Sequence, residues 1–256
     1  MQLFIKSTAY VLMLTAFLST NVFAADEDGK YSGFGQETIT RELTPQEKAH
    51  AAQKERAVLN LNLKNKDFTT MSTSIDFELD NTFSAKRQEK TYYCGPASAL
   101  ALINYRWATP HQSKLAADWD PKNKSYGMNT EKYKGTTSPD MARSINYHIG
   151  SNYYTASKVS DKDTLRRYII NDVGNDYPVN LLVDTKHFSW YNGKSFSHFV
   201  TVFGYHADSL DNPSNVSLDI ADPHYSDSYF GKHYVEDFKN TFNAINANSW
   251  RENVVW

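Results

Sequence analysis

The 256-residue chain has only one cysteine, Cys94. No internal disulfide can form, so the fold must hold without that staple. Basic excess is missing too. The 27 Lys and Arg stand against 29 Asp and Glu, a net charge of −2. That excludes a nucleic-acid binder that works by neutralising phosphates. There is no GxxxxGK[ST] loop to cradle a phosphate, no internal repeat and no low-complexity tract. Beyond the first 24 residues no run is apolar enough for the roughly 20 residues of a membrane span. Aromatic residues are abundant: 14% of the chain, with 17 Tyr. A polar-surfaced enzyme and a binding module both fit that content.

The N-terminal stretch has the order of a secretory signal peptide. One positive charge, Lys6, precedes an apolar run from Ala9 to Leu18, and Val22-Phe23-Ala24 ends in small residues at the positions a signal peptidase reads. Cleavage after Ala24 is expected, with the protein exported to a periplasm or the extracellular space. The rival, an N-terminal membrane anchor, is disfavoured because the run is too short. No cysteine near the cleavage site is available for a lipid anchor, and no stable membrane insertion is expected once the signal is removed. Export sharpens the question of Cys94, because exported proteins use cysteine mostly in disulfide pairs. A lone one is either a buried packing residue or a nucleophile.

Its surroundings, QEKTYYCGPASALALINYRW from Gln88 to Trp107, favour the nucleophile. Pro96 suits the first turn of a helix, and Ala97, Leu100, Ala101 and Ile103 continue it. Cys94 then sits at a helix N-terminus, where free N–H groups and the dipole favour the thiolate over the thiol. Gln88, six residues upstream, can bring an amide N–H to the same point, as an oxyanion donor would.

Elsewhere the sequence reads as helices first and strands last. Residues 25 to 42 form a polar leader. Thr44-Pro45-Gln46-Glu47 has the form of a capping box opening a helix from Pro45 to about Leu59. Asn60 to Lys66 looks like a linker. This segment is either a removable pro-segment or clamp lying across the site, or a surface helix without a role. Ala108 to Gly135 reads as a long polar loop, of the kind that is often functional. Helices are expected from Ser138 to Gly150 and from Ser160 to Gly174. Strands follow at Pro178 to Val183, Phe199 to Tyr205 and Val216 to Ile220, with a loop over Asp184 to Ser197 that holds His187 and Trp190. A last helix is expected near Val235 to Ile245. The fold class is α+β.

Gln88, Cys94-Gly95-Pro96-Ala97-Ser98, the run His198-Phe199-Val200-Thr201-Val202-Phe203-Gly204-Tyr205, and Asp222-Pro223 occur in an order that resembles the papain-like cysteine peptidases. The branch they resemble most is the bacteriocin-processing, double-glycine leader peptidases, family thirty-nine of the cysteine peptidases, and its secreted stand-alone relatives. The resemblance covers roughly residues 80 to 230. It implies a papain-like fold, with the nucleophile helix packed on a C-terminal antiparallel sheet. With the signal read at residues 1–24 and the polar leader and capped helix as an N-terminal extension over 25–80, the resemblance implies 81–256 as the peptidase domain. It also implies a Cys94–His198–Asp222 triad with Gln88 as oxyanion donor, no cofactor, no metal, and a peptide or protein as substrate. The bacteriocin exporters carry membrane helices and an ATPase beside this domain. The present sequence shows neither, so the resemblance implies the reaction and not the double-glycine preference.

Other assignments compete. Asp219 or Asp227 could orient His198 instead, and Asp222-Pro223 could be only a strand-end turn. His198, Asp222 and His224 could form a zinc site, but no Cys pair or His-x-x-x-His spacing supports it. His187, His206, His224 and His233 read as surface residues or satisfied partners. In function, a papain-like acyl transferase would pass the same thioester to an amine. A catalytically silent binding module would keep the fold alone, although the intact Gln, Cys and His argue against it.

Overall fold

A computed structural model describes residues 41–64, 75–79, 82–132, 134–207, 216–235, 237–247 and 252–256. The stretch expected as a signal and most of the polar leader lie outside the described residues. The first helix, α1, runs from Pro45 to Lys64. Its capping box is reciprocal: Glu47 N–H donates to Thr44 Oγ1 at 3.2 Å and Thr44 N–H to Glu47 Oε2 at 2.8 Å. The helix continues to Lys64, into the stretch expected as a linker, because Leu61, Leu63 and Lys64 are good helix formers and no breaker interrupts them.

The centre of the molecule is an antiparallel sheet of seven strands. They are β1 (Ile75–Glu78), β4 (Ala156–Ser157), β5 (Val179–Asp184), β6 (Ser197–Ala207), β7 (Val216–Asp222), β8 (Gly231–Val235) and β9 (Val254–Val255). The order across the sheet is β4-β9-β5-β6-β7-β8, and β1 pairs with the far half of β6 where β5 has ended. Four of these strands have no clear sequence signal. β1, β4 and β9 are short, and β8 lacks a continuous apolar face. Val235, expected to start the last helix, ends β8, and Asp237 caps α6 (Phe238–Asn246) by accepting from Lys239 N–H. The extension assigned to residues 25–80 therefore contributes β1 to the sheet.

Helices cover both faces. Leu182 of β5 and Phe199 of β6 pack in one cluster with Cys94, Leu102 and Ile103 of α2 (Cys94–Tyr105) and with Met141 and Ile145 of α4 (Ser138–Ile149). Their neighbours Leu181, Val183, Val200 and Val202 pack on the other side with Leu165 and Ile169 of α5 (Lys162–Gly174) and Phe238 and Ile245 of α6. Side chains alternate across a strand, so burial on both faces explains why Leu181, Leu182 and Val183 follow one another in β5 without a polar residue between them. The stretch from Ala108 to Gly135 is not a bare loop. It holds α3 (Gln112–Ala116) and a small hairpin of β2 (Trp119–Asp120) and β3 (Ser125–Tyr126). These elements are too short to show a period.

α1 packs against α5 and the edge strand β4, three strands from β6. Its Lys54 Nζ lies 2.9 Å from Asp172 Oδ2, 3.7 Å above the Tyr153 ring and 4.5 Å above Trp256. The partners of Lys54 and Glu55 are all on this side, with Tyr168 O–H donating to Glu55 at 3.0 Å. The described helix is thus not the clamp expected across the site. Burial pushes the Lys54 ammonium down to about 8, against the pull of Asp172. Burial pushes Asp172 up, against Lys54 and its hydrogen-bond donors. Both shifts show that desolvation dominates, so the pair tolerates no half-removal. Lys54→Met is expected to cost about 3 to 5 kcal/mol by stranding a buried carboxylate. Urea unfolding measures it, and a loss below about 1 kcal/mol would place the pair among surface ion pairs instead.

Candidate active site

Cys94 is the first residue of α2, and no side chain caps the helix there. Its leading N–H groups and positive dipole end therefore face the sulfur's surroundings without a competing cap. Gly95 is required by packing. A Cβ at this position would lie 2.8 Å from Thr136 Oγ1, so only glycine lets the segment before α4 approach the nucleophile turn this closely. One turn on, Ser98 Oγ donates to the carbonyl of Phe199 at 3.1 Å. That bond sets the register of α2 against β6 directly beside His198. The Ser of CGPAS is legible in sequence only as part of the motif, because its partner is about a hundred residues away.

His198 stands near the start of β6, and Asp222 ends β7, the adjoining strand. His198 Nε2 meets Asp222 Oδ1 at 2.9 Å. This leaves Nδ1 free of Asp222, and the Cys94 sulfur is near enough to favour the charged form of the same ring. Asp222 has three further donors: Tyr191 O–H at 2.8 Å, Trp190 Nε1–H at 3.2 Å and the His224 backbone N–H at 2.9 Å. Burial opposes ionisation of Asp222, but the His198 charge and these hydrogen bonds hold its carboxyl below the usual range. Burial likewise opposes a charged His198 ring. Asp222, and after it Cys94, overrule that and push the imidazole up to about 10. The arrangement stores a proton on the imidazole beside a sulfur at a helix N-terminus.

No motif marks Trp190 and Tyr191 as partners of Asp222. They come from a short 3₁₀ turn, Ser189–Tyr191, in the stretch between β5 and β6. Trp190 stacks on His233 at 4.2 Å and on Phe188 at 4.6 Å, while Tyr191 stacks on Tyr229 at 4.5 Å. Aromatic clustering in a polar loop is the one signal the sequence offers for them. The other histidines divide. His206 bridges Asp76 at 3.1 Å and Asp219 at 2.7 Å, which takes Asp219 out of contention as orienter. Asp227 pairs with Arg87 at 2.6 Å. His224 is not a surface residue: it is 1% exposed, its ring centroid lies 5.7 Å from that of His198, and its Nδ1 accepts from Ser226 N–H at 2.9 Å. Burial first, and then the charge of His198, pushes His224 down to about 3. It stays neutral and adds no second charge beside the imidazolium. Among the described residues, no group of three His, Cys, Asp or Glu is placed to hold a metal ion.

Gln88 is 3% exposed, and its Nε2 donates one hydrogen bond to the carbonyl of Lys90 at 2.9 Å. A primary amide has two N–H donors, so one remains. Gln88 N–H donates to the carbonyl of Pro223 at 2.7 Å, which joins the segment before the nucleophile to the residue after Asp222. The sulfur is covered: Cys94 is 1% exposed and His198 2%. Packing of α2 against Met141 and Phe199 closes it in. A cavity of about 650 Å³ lies elsewhere, between α1 and α4, lined by Glu47, His50, Trp119, Arg143 and Tyr147 among others.

A nucleophile helix on an antiparallel sheet, with the His–Asp pair on adjoining strands, is the architecture of a papain-like cysteine peptidase, as the order of motifs predicts. A family model described as Peptidase_C39 like family matches residues 80–252. The chain belongs to that family and is an enzyme of the cysteine-peptidase class. A search of curated proteins found no match. Among the described residues no helix is long and apolar enough to cross a membrane.

Proposed function

We propose that the protein is an exported thiol hydrolase that cleaves peptide bonds through Cys94, His198, Asp222 and Gln88. The observation that carries this reading is the buried His198–Asp222 pair at 2.9 Å, with Cys94 near enough to favour the charged ring. The thiolate attacks the substrate carbonyl carbon while the imidazolium proton waits on Nδ1. The oxyanion accepts from the free Nε2–H of Gln88 and the backbone N–H of Cys94. His198 gives its proton to the departing amine, then takes one from water as that water attacks the thioester. Asp222 fixes the ring and steadies its charge throughout. Because the sulfur is covered, a peptide must open the packing around α2 before it can reach Cys94. Residues 81–256 form the catalytic unit, with residues 25–80 as an N-terminal extension whose described part packs on it.

The experiment is cleavage of a peptide library by wild type and Cys94→Ala, with products read by mass. Products that need Cys94 and carry a free carboxylate support hydrolysis. If an added amine is incorporated in place of water, the enzyme is an acyl transferase. Labelled protein with no turnover would leave a binding module. Gln88→Ala is expected to keep the fold and lower kcat by roughly 10²- to 10³-fold with little change in KM. Normal kcat in a destabilised protein would make Gln88 structural.

A further inference from the structure

We propose that Gln112 is a positioning residue for the oxyanion site. It fixes the main chain of Gln88, and through it the direction of the side-chain amide. This rests on the reading of Gln88 as oxyanion donor. Gln112 is the first residue of α3 and is 3% exposed. Its Nε2 donates to the carbonyl of Arg87 at 2.6 Å, and its Oε1 accepts from Glu89 N–H at 3.0 Å. One planar amide thus takes the peptide groups on both sides of Gln88, as a neighbouring strand would. The Gln88 N–H is held by Pro223, from the opposite side of the site. With the 87–88 and 88–89 peptide units both fixed, the two backbone torsions of Gln88 have no freedom left. The Cα–Cβ bond can then point only one way, and Lys90 sets the amide at its end.

Oxyanion donors act by preorganisation, and a small misplacement removes most of their effect. The short segment that carries Gln112 is itself braced. Leu115 is fully buried, its carbonyl accepts from Met128 N–H at 2.8 Å, and that of Ala116 accepts from Thr130 N–H at 3.0 Å. The stretch between α2 and α4, expected as a loop, thereby delivers one amide to the far side of Gln88. Neither of these side-chain hydrogen bonds of Gln112 reaches Cys94, His198 or Asp222. Its loss should therefore weaken stabilisation of the oxyanion and leave thiol chemistry intact.

The test uses the whole protein and a peptidyl aminomethylcoumarin amide selected from a library with the wild type, together with the aldehyde of the same peptide. The aldehyde forms a thiohemiacetal with Cys94 whose oxyanion occupies the same site. Gln112→Met keeps the length and removes both bonds. Its kcat is expected to fall roughly 10- to 100-fold and aldehyde affinity to fall in parallel. KM and the rate of Cys94 alkylation by iodoacetamide should stay within about two-fold, since neither uses the oxyanion site. In a Gln88→Ala background the same substitution should change nothing further, as expected of two residues acting as one unit. Should Gln112→Met fail to fold, Gln112→Glu keeps the acceptor for Glu89 N–H, loses the donor to Arg87, and is read the same way. Wild-type kcat, an equal loss with and without Gln88, or a parallel loss of alkylation would overturn the assignment. A Gln88→Ala enzyme with normal turnover would instead reject the oxyanion reading, and this inference with it.

Discussion

His198→Ala is expected to lower kcat by a factor on the order of 10⁴ or more, because it removes the base, the acid and the counter-charge together. The same substitution has a second signature that needs no substrate. In the wild type the imidazole, pushed up to about 10 by Asp222 and Cys94 against the effect of burial, is protonated throughout neutral pH. The positive ring and the N-terminus of α2 both attract negative charge placed at that sulfur. An ordinary thiol, ionising near 8.5, is only about one part in a thousand thiolate at pH 5.5. Iodoacetamide labelling of Cys94 at pH 5.5 should therefore slow by roughly 10²-fold in His198→Ala, where only the helix remains to favour the anion. The sulfur is almost fully covered, so absolute rates report access as well as ionisation. Removing the ring opens access to the sulfur, which works against the expected slowing and makes a slower variant the more telling result. Equal labelling at pH 5.5 would show that Cys94 and His198 are not a working pair, and Cys94 would revert to a packing residue.

The parts of this site that are legible in sequence share one property: their signal is local. Cys94-Gly95-Pro96 announces a helix start by its own chemistry, and Thr44 with Glu47 announces another. The Thr137–Gly150 and Asp161–Gly174 helices carry their caps in adjacent residues, so their expected bounds lie close to the observed ones. The strands β5, β6 and β7 are visible from their apolar runs. What stays hidden depends on partners distant in the chain. Tyr191 and Trp190 matter because Asp222, about thirty residues on, lies against them. Gln112 matters because Arg87 and Glu89 pass beside it. β1 and β9 exist because β6 and β5 offer free edges, and neither has enough residues to show a period of two. The closure of the sulfur belongs to the same class. It follows from how α2 packs on Met141 and Phe199, which no stretch of sequence displays.

Asp222 separates orientation from charge more sharply than any other residue here. Asp222→Ala strands four donors, from His198, Tyr191, Trp190 and His224, around a fully buried position. Each buried unpaired group costs about 1 to 3 kcal/mol. The ring also loses its orienter, so kcat should fall by about 10⁴-fold. Asp222→Asn is gentler and more informative. Its amide oxygen can still accept from His198 Nε2–H and His224 N–H. Its NH₂ can donate to the Tyr191 hydroxyl, and only Trp190 Nε1–H then faces a donor. The proton stays on Nε2 and the ring keeps its place, but the negative charge is gone.

The imidazole that Asp222 had pushed up to about 10 should then titrate near or below its ordinary value of about 6.5, since burial no longer has an opponent of the same strength. The alkaline limb of kcat/KM should move down by about three pH units. At pH 9 this amounts to a loss on the order of 10²- to 10³-fold, shrinking to less than about ten-fold at pH 6. Stability moves in step. His198, raised in the fold, contributes fully below about pH 6.5 and loses its contribution as pH rises through about 10. Asp222, lowered in the fold, contributes above about pH 4 and loses its contribution as pH falls through its folded value. The wild type should thus exceed Asp222→Asn in unfolding free energy most between about pH 4 and 6.5, with the gap closing on both sides. Parallel pH–rate profiles, displaced in height but sharing one alkaline limb, would mean that Asp222 only orients the ring. The proton on His198 would then be held by Cys94 alone.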